Sequence, residues 1–125
     1  MFKDISRSFF LVAAIAVTSL AIAEDDPRHV RHELMEDVRD AAKPVGQMLK
    51  GEAEFNAETL ESSLQVFLDA SKTFGDLFPE GTETGEKTRA APAIWEDRAG
   101  FDQALADFNA AAEAALAASP GSLEE

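Results

Sequence analysis

Apolar side chains in this chain recur in steps of three and four over three separate stretches, and nowhere alternate with polar residues over a useful length. That spacing gathers them on one face of an α-helix and leaves no strand signal, so an all-α, antiparallel helix bundle is the architecture the pattern supports. In the first stretch, Asp26-Pro27 reads as an N-cap followed by a proline at the first helical position. Val30, Leu34, Val38, Ala41 or Ala42, Val45 and Met48 or Leu49 follow on one stripe, and Lys50-Gly51 supplies a basic last turn and a left-handed stop. Pro44 falls inside this span and predicts a kink. In the second, Asn56 caps a stripe of Leu60, Leu64, Phe67, Ser71 and Phe74, which fails near Gly75. Residues 80–92 carry glycines, threonines and charges without periodicity, too long a linker for a tight turn and of a length that can carry function. The third helix is expected from Ala93, with Ile94, Arg98, Phe101, Leu105, Phe108, Ala112 and Ala115 or Leu116 on its stripe and Pro120-Gly121 as its stop.

Two terminal features bear on organisation. Lys3 and Arg7 precede an apolar run, Phe9 to Ala23, that closes on Ala21-Ile22-Ala23. This is the pattern of a secretory signal peptide, and the run is short of the roughly 20 residues needed to span a bilayer. The expected organisation is a signal peptide over residues 1–23 and one helical domain over 24–125. The expected compartment is the periplasm, with no stable membrane association after cleavage. At the other end, Ser122-Leu123-Glu124-Glu125 is a capping box. It announces a fourth helix, so the reading here is an incomplete bundle; a frayed acidic tail is the alternative.

Charge and chemistry narrow the function classes. Eleven basic residues against 24 acidic ones give a net charge of −13, which repels a phosphate backbone and excludes a nucleic-acid binder. There is no cysteine, so thiol nucleophiles and cysteine–metal sites are absent from these 125 residues. With two histidines, no nucleophile motif and no glycine-rich phosphate loop, nothing marks an enzyme.

Four blocks, in order, resemble the cytochrome c′ family. Val30-Arg31-His32-Glu33-Leu34-Met35 looks like the opening of its helix A. Residues 44–57, from Pro44-Val45-Gly46 through Lys50-Gly51 to Phe55-Asn56-Ala57, are similar to the end of helix A and the cap of helix B. Leu77-Phe78-Pro79-Glu80-Gly81-Thr82 resembles an L-F-P-x-G-(S/T) loop, and Ala93-Ile94-Trp95-Glu96-Asp97 with Phe101 resembles the start of helix C. The resemblance implies a four-helix bundle of cytochrome c′ type, with helices A to C in this chain. It also implies an exported protein, commonly a homodimer, serving one-electron transfer to a periplasmic redox partner or the binding of small gases. The implied cofactor is haem c, joined through C-x-x-C-H on helix D with its histidine as iron ligand, and this chain has no such segment. A haem-free periplasmic binding or scaffold protein is the alternative.

By the same resemblance, Met35 occupies the distal position over the iron, where a thioether is a soft axial ligand; from the residues alone it is a core methionine. Arg31 and His32 match positions near the haem and its propionates, and an arginine fork suits a carboxylate. The bland reading of Arg31 is a surface residue paired with Glu24 or Asp25. Glu86 matches a loop residue that approaches the haem edge, and is otherwise a solvated acid. His29 and His32 have the spacing of a metal clip but lack further ligands, and are expected to be exposed. Trp95 is expected to pack over the end of the bundle. Arg98, the one polar member of its stripe, is expected to snorkel or meet a carboxylate of a neighbouring chain.

Overall fold

A computed structural model describes residues 25–118 and 121–122, so the expected leader and most of the capping box lie outside the described residues. Helix α1 runs Pro27–Leu49, α2 Ala57–Thr73, α3 Ala93–Glu96 and α4 Arg98–Ala118. The described residues contain no strand.

The sequence signals set most of the boundaries. The Asp26 carboxylate accepts the Arg28 backbone N–H at 2.9 Å, with Pro27 in the first turn. Helix α1 passes through Pro44 and ends in a Schellman motif. Glu52 N–H donates to Gln47 O at 2.9 Å and Gly51 N–H to Met48 O at 3.1 Å, with Gly51 at φ +73°, where a side chain would be strained. Asn56 Oδ1 accepts from Thr59 N–H at 2.8 Å and opens α2, which tightens into a 3₁₀ turn over Phe74–Leu77.

The third helix departs from expectation: it is two helices, not one. Asp97, at φ −128° and ψ 66°, closes α3 by donating its N–H to Ala93 O. It also caps α4, its carboxylate accepting Gly100 N–H at 3.1 Å and its carbonyl Phe101 N–H. An aspartate placed three residues before a glycine competes with helix continuation through its own side chain.

Helix α2 packs against both α1 and α4, while α1 and α4 barely touch each other. The ends alternate. Met48 Sδ near the end of α1 meets Asn56 N–H before α2, and Arg31 near the start of α1 reaches Leu77 after it. Likewise Phe67 and Ser71 of α2 meet Phe108 and Asn109 of α4, while Gly75 O meets Arg98 at the start of α4. The three long helices are therefore antiparallel neighbours. The core is thin: Met48, Leu68, Ala70, Phe78 and Ala112 are buried, while Met35, Leu49 and Phe108 are exposed. No helix among the described residues is long and apolar enough to cross a membrane.

Candidate functional site

The site is assembled around Arg31. One turn into α1 its side chain points inward and is only 5% exposed. Its Nη1 donates to Leu77 O and Thr82 Oγ1, both at 3.1 Å. Its Nη2 donates to Thr82 O at 2.6 Å and to Thr88 Oγ1 at 2.7 Å. The guanidinium also lies over the Phe78 ring at 4.7 Å and near the Trp95 ring at 5.8 Å. One cation thus stitches both ends of the loop after α2 to the first turns of α1. Burial and the nearby Arg28 charge both work against its protonated form, lowering its pKa. Neutral oxygens and ring faces stabilise it in place of a carboxylate, so a surface pairing with Asp25 is not what this side chain does; Glu24 lies outside the described residues.

Beneath it lies an aromatic cluster. Phe78 is 4% exposed and makes edge contacts with Phe74 and Phe101 at 4.9 Å and with Trp95 at 5.8 Å. Trp95 Nε1 donates to Pro79 O at 3.3 Å. Arg98 neither snorkels freely nor needs another chain: it donates to Gly75 O and Phe78 O and pairs with Asp102 at 2.9 Å. It fixes the start of α4 to the end of α2.

The loop continues through backbone that side chains rarely adopt. Gly85, Glu86 and Lys87 are all left-handed, at φ +86°, +42° and +59°, and Thr88 N–H closes the turn on Gly85 O at 2.8 Å. At Gly85 a Cβ would also lie 2.8 Å from Arg28 Nη1. Arg28 secures the loop from outside: it is held by the Asp26 carboxylate and donates Nη1 to Thr84 O at 2.8 Å. Those bonds from Arg28 bring the Asp26 carboxyl down to about 2 and raise Arg28 in turn.

Helix α1 and this loop enclose a cavity of about 460 Å³. All four residues singled out in the sequence, Arg31, His32, Met35 and Glu86, lie on its wall. Phe74, Phe78, Ala90, Ala91 and Ile94 supply apolar surface, and Arg28, Lys87 and Arg89 add positive charge. Met35 is 47% exposed, whereas the other described methionine, Met48, is buried in the core. The histidines pair loosely with acids on their own helix, His29 with Glu33 at 3.3 Å and His32 with Glu36 at 3.8 Å. Among the described residues no three potential ligands gather into a metal site. A second groove, about 580 Å³, is lined by Asp37, Asp40 and Glu58 with no cation.

Sequence reasoning did not place Arg28, Lys87 or Arg89 on the site. The usable signal was the loop itself, where basic residues on either side of a threonine follow a glycine in an otherwise acidic chain.

The cavity is open enough for a sizeable ligand, and it combines an apolar wall, a thioether and a basic rim. That arrangement suits an apolar molecule bearing carboxylates. A family profile described as Cytochrome C′ matches residues 26–125. Cytochrome c′ of Rhodopseudomonas palustris (strain ATCC BAA-98 / CGA009) is 41% identical over 98 residues, covering 78% of this chain and 67% of the relative. Cytochrome c-556 of Agrobacterium tumefaciens (strain B2A) is 35% identical over 91 residues, 73% of each chain. Among solved structures, Rhodopseudomonas palustris cytochrome c′ superimposes with a TM-score of 0.73 at 40% identity, over 75% of each chain. An NMR-validated structure of R. palustris cytochrome c556 gives 0.68 at 28% identity, covering 75% of this chain and 76% of that one.

Proposed function

This chain belongs to the cytochrome c′ family, whose members bind haem c, and on that premise we propose that residues 24–125 form the haem-enclosing part of a periplasmic redox or gas-binding protein. The observation that carries the reading is the cavity itself: Met35 and His32 on α1 face Phe78, Ala90, Ala91 and Ile94 across an apolar space with cations at its rim. Haem is an apolar macrocycle with two carboxylates, and the wall and rim match those two halves. The attachment chemistry does not match, because a thioether link needs cysteine and these 125 residues have none. The covalent bonds and the family's C-x-x-C-H histidine are therefore not supplied by these residues.

Haem bound here would supply one-electron chemistry or a binding position for a small gas. The chain's part is enclosure. Phe74, Phe78 and Ile94 exclude water, and Arg31 keeps the loop closed over the space. Met35 lines the same space, where its thioether would serve as a soft neutral donor to haem iron; such a donor would favour the reduced state and electron transfer over gas binding. Glu86, on the strained turn, sits at the edge of the enclosure. Association as a homodimer and docking of a periplasmic redox protein belong to the same proposal.

Titration with haemin followed by its Soret band tests the reading. The account expects saturable binding by the chain and a spectral change on Met35→Leu, with binding itself retained. Absence of saturable binding, or the same spectrum from wild type and Met35→Leu, overturns the enclosure or the ligand role respectively.

A further inference from the structure

The cations on the cavity wall are not equivalent. Arg31 is buried and its two Nη atoms are spent on four loop oxygens. Arg28 is held by Asp26 and Thr84 O, and the Glu86 charge also acts on it. His32 leans on Glu36. Lys87 and Arg89 differ: both are exposed, both line the cavity, and neither makes a hydrogen bond or ion pair among the described residues. They flank Thr88, whose hydroxyl is gripped by Arg31 at 2.7 Å and also accepts Ala90 N–H at 3.3 Å. The left-handed backbone at Glu86 and Lys87 brings this short segment back over the cavity. The Asp26 and Glu86 charges both act on Arg28, whereas Lys87 and Arg89 stand on the cavity wall with no carboxylate paired to either among the described residues.

We propose that Lys87 and Arg89 are the carboxylate-recognising pair of this cavity and that Arg31 is a positioning residue, presenting them through its grip on Thr88. The proposal rests on the reading of the cavity as a site for an apolar, carboxylate-bearing ligand, and assigns which residues read the carboxylates. An arginine takes a carboxylate as a fork and a lysine as a point charge, so together they accommodate two such groups without fixed spacing.

The test uses protoporphyrin IX, which has two carboxylates and no iron, and its dimethyl ester, which has the same ring and no charge. Binding of each to the chain is followed by porphyrin fluorescence in wild type, in Lys87→Ala/Arg89→Ala, and in Lys50→Ala, at the far end of α1, as a distant control. The expected result is about tenfold weaker binding of the diacid by the double variant, loss of its salt dependence, and unchanged binding of the diester. Arg31→Lys is expected to weaken the diacid as well and to speed amide exchange over residues 82–90, which the double variant does not. Equal affinities for the diacid in wild type and double variant overturn the proposal, as does equal weakening of diacid and diester or a matching loss in Lys50→Ala. Failure of wild type to bind either porphyrin overturns the cavity reading beneath it.

Discussion

Arg31 shows how one buried side chain can organise a cavity wall through the loop it holds. Removing it strands Leu77 O and Thr82 O in a nearly dry place. Arg31→Met is therefore expected to cost about 2–4 kcal/mol in chemical denaturation and to unfasten the loop before the helices. Asp26 gives a pH signature. Its carboxyl is near 2 in the folded chain against an ordinary 3.8, so the stabilisation it brings is complete above about pH 4 and is lost as pH falls toward 2. Asp26→Asn keeps a capping oxygen but not the charge, and should flatten the acid dependence of stability in that window. The sequence put Arg31, His32, Met35 and Glu86 at one site by family resemblance, and all four share one cavity wall. It did not reveal that Arg31 would be consumed by Thr82 and Thr88, because partners more than fifty residues away leave no trace in periodicity.

The elements were legible wherever a boundary has local chemistry. Asp26-Pro27, Lys50-Gly51 and Asn56 each end or begin a helix by bonds made within a few residues. The break at Asp97 was hidden because the three-and-four spacing runs across it without interruption from Ile94 through Arg98 to Phe101. Asp97→Ala removes a cap and should cost about 1 kcal/mol, read as a lower melting temperature with increased exchange at Gly100 and Phe101. The loop makes the opposite point, since its shape depends on backbone conformations rather than on a stripe. Gly85→Ala places a side chain at φ +86° and against Arg28, and should destabilise by about 1–2 kcal/mol. Glu86→Gly relieves a strained residue and should be neutral or slightly stabilising by the same assay.

At the scale of the molecule, α2 is the spine. Leu68 is buried between its neighbours, whereas Leu49 is 66% exposed at the end of α1. Leu68→Ala is expected to cost about 2–3 kcal/mol and Leu49→Ala under about 0.5 kcal/mol. The sparse contact between α1 and α4 leaves Met35 and Phe108 accessible, so the cavity borders an open side of the bundle. Its chemistry is set apart by charge: the cationic wall formed by Arg28, Lys87 and Arg89 stands in a chain of net charge −13, while the groove at Asp37, Asp40 and Glu58 is purely acidic. A ligand with carboxylates should therefore choose between two comparable spaces without ambiguity. The most direct measurement is an amide NMR spectrum recorded with substoichiometric haemin, whose paramagnetic iron broadens nearby signals. The expected result is selective loss at Arg28, Met35, Ala90 and Ile94, with Glu58 and Thr59 unaffected; broadening centred on Glu58 and Thr59, or spread evenly over the helices, would contradict it.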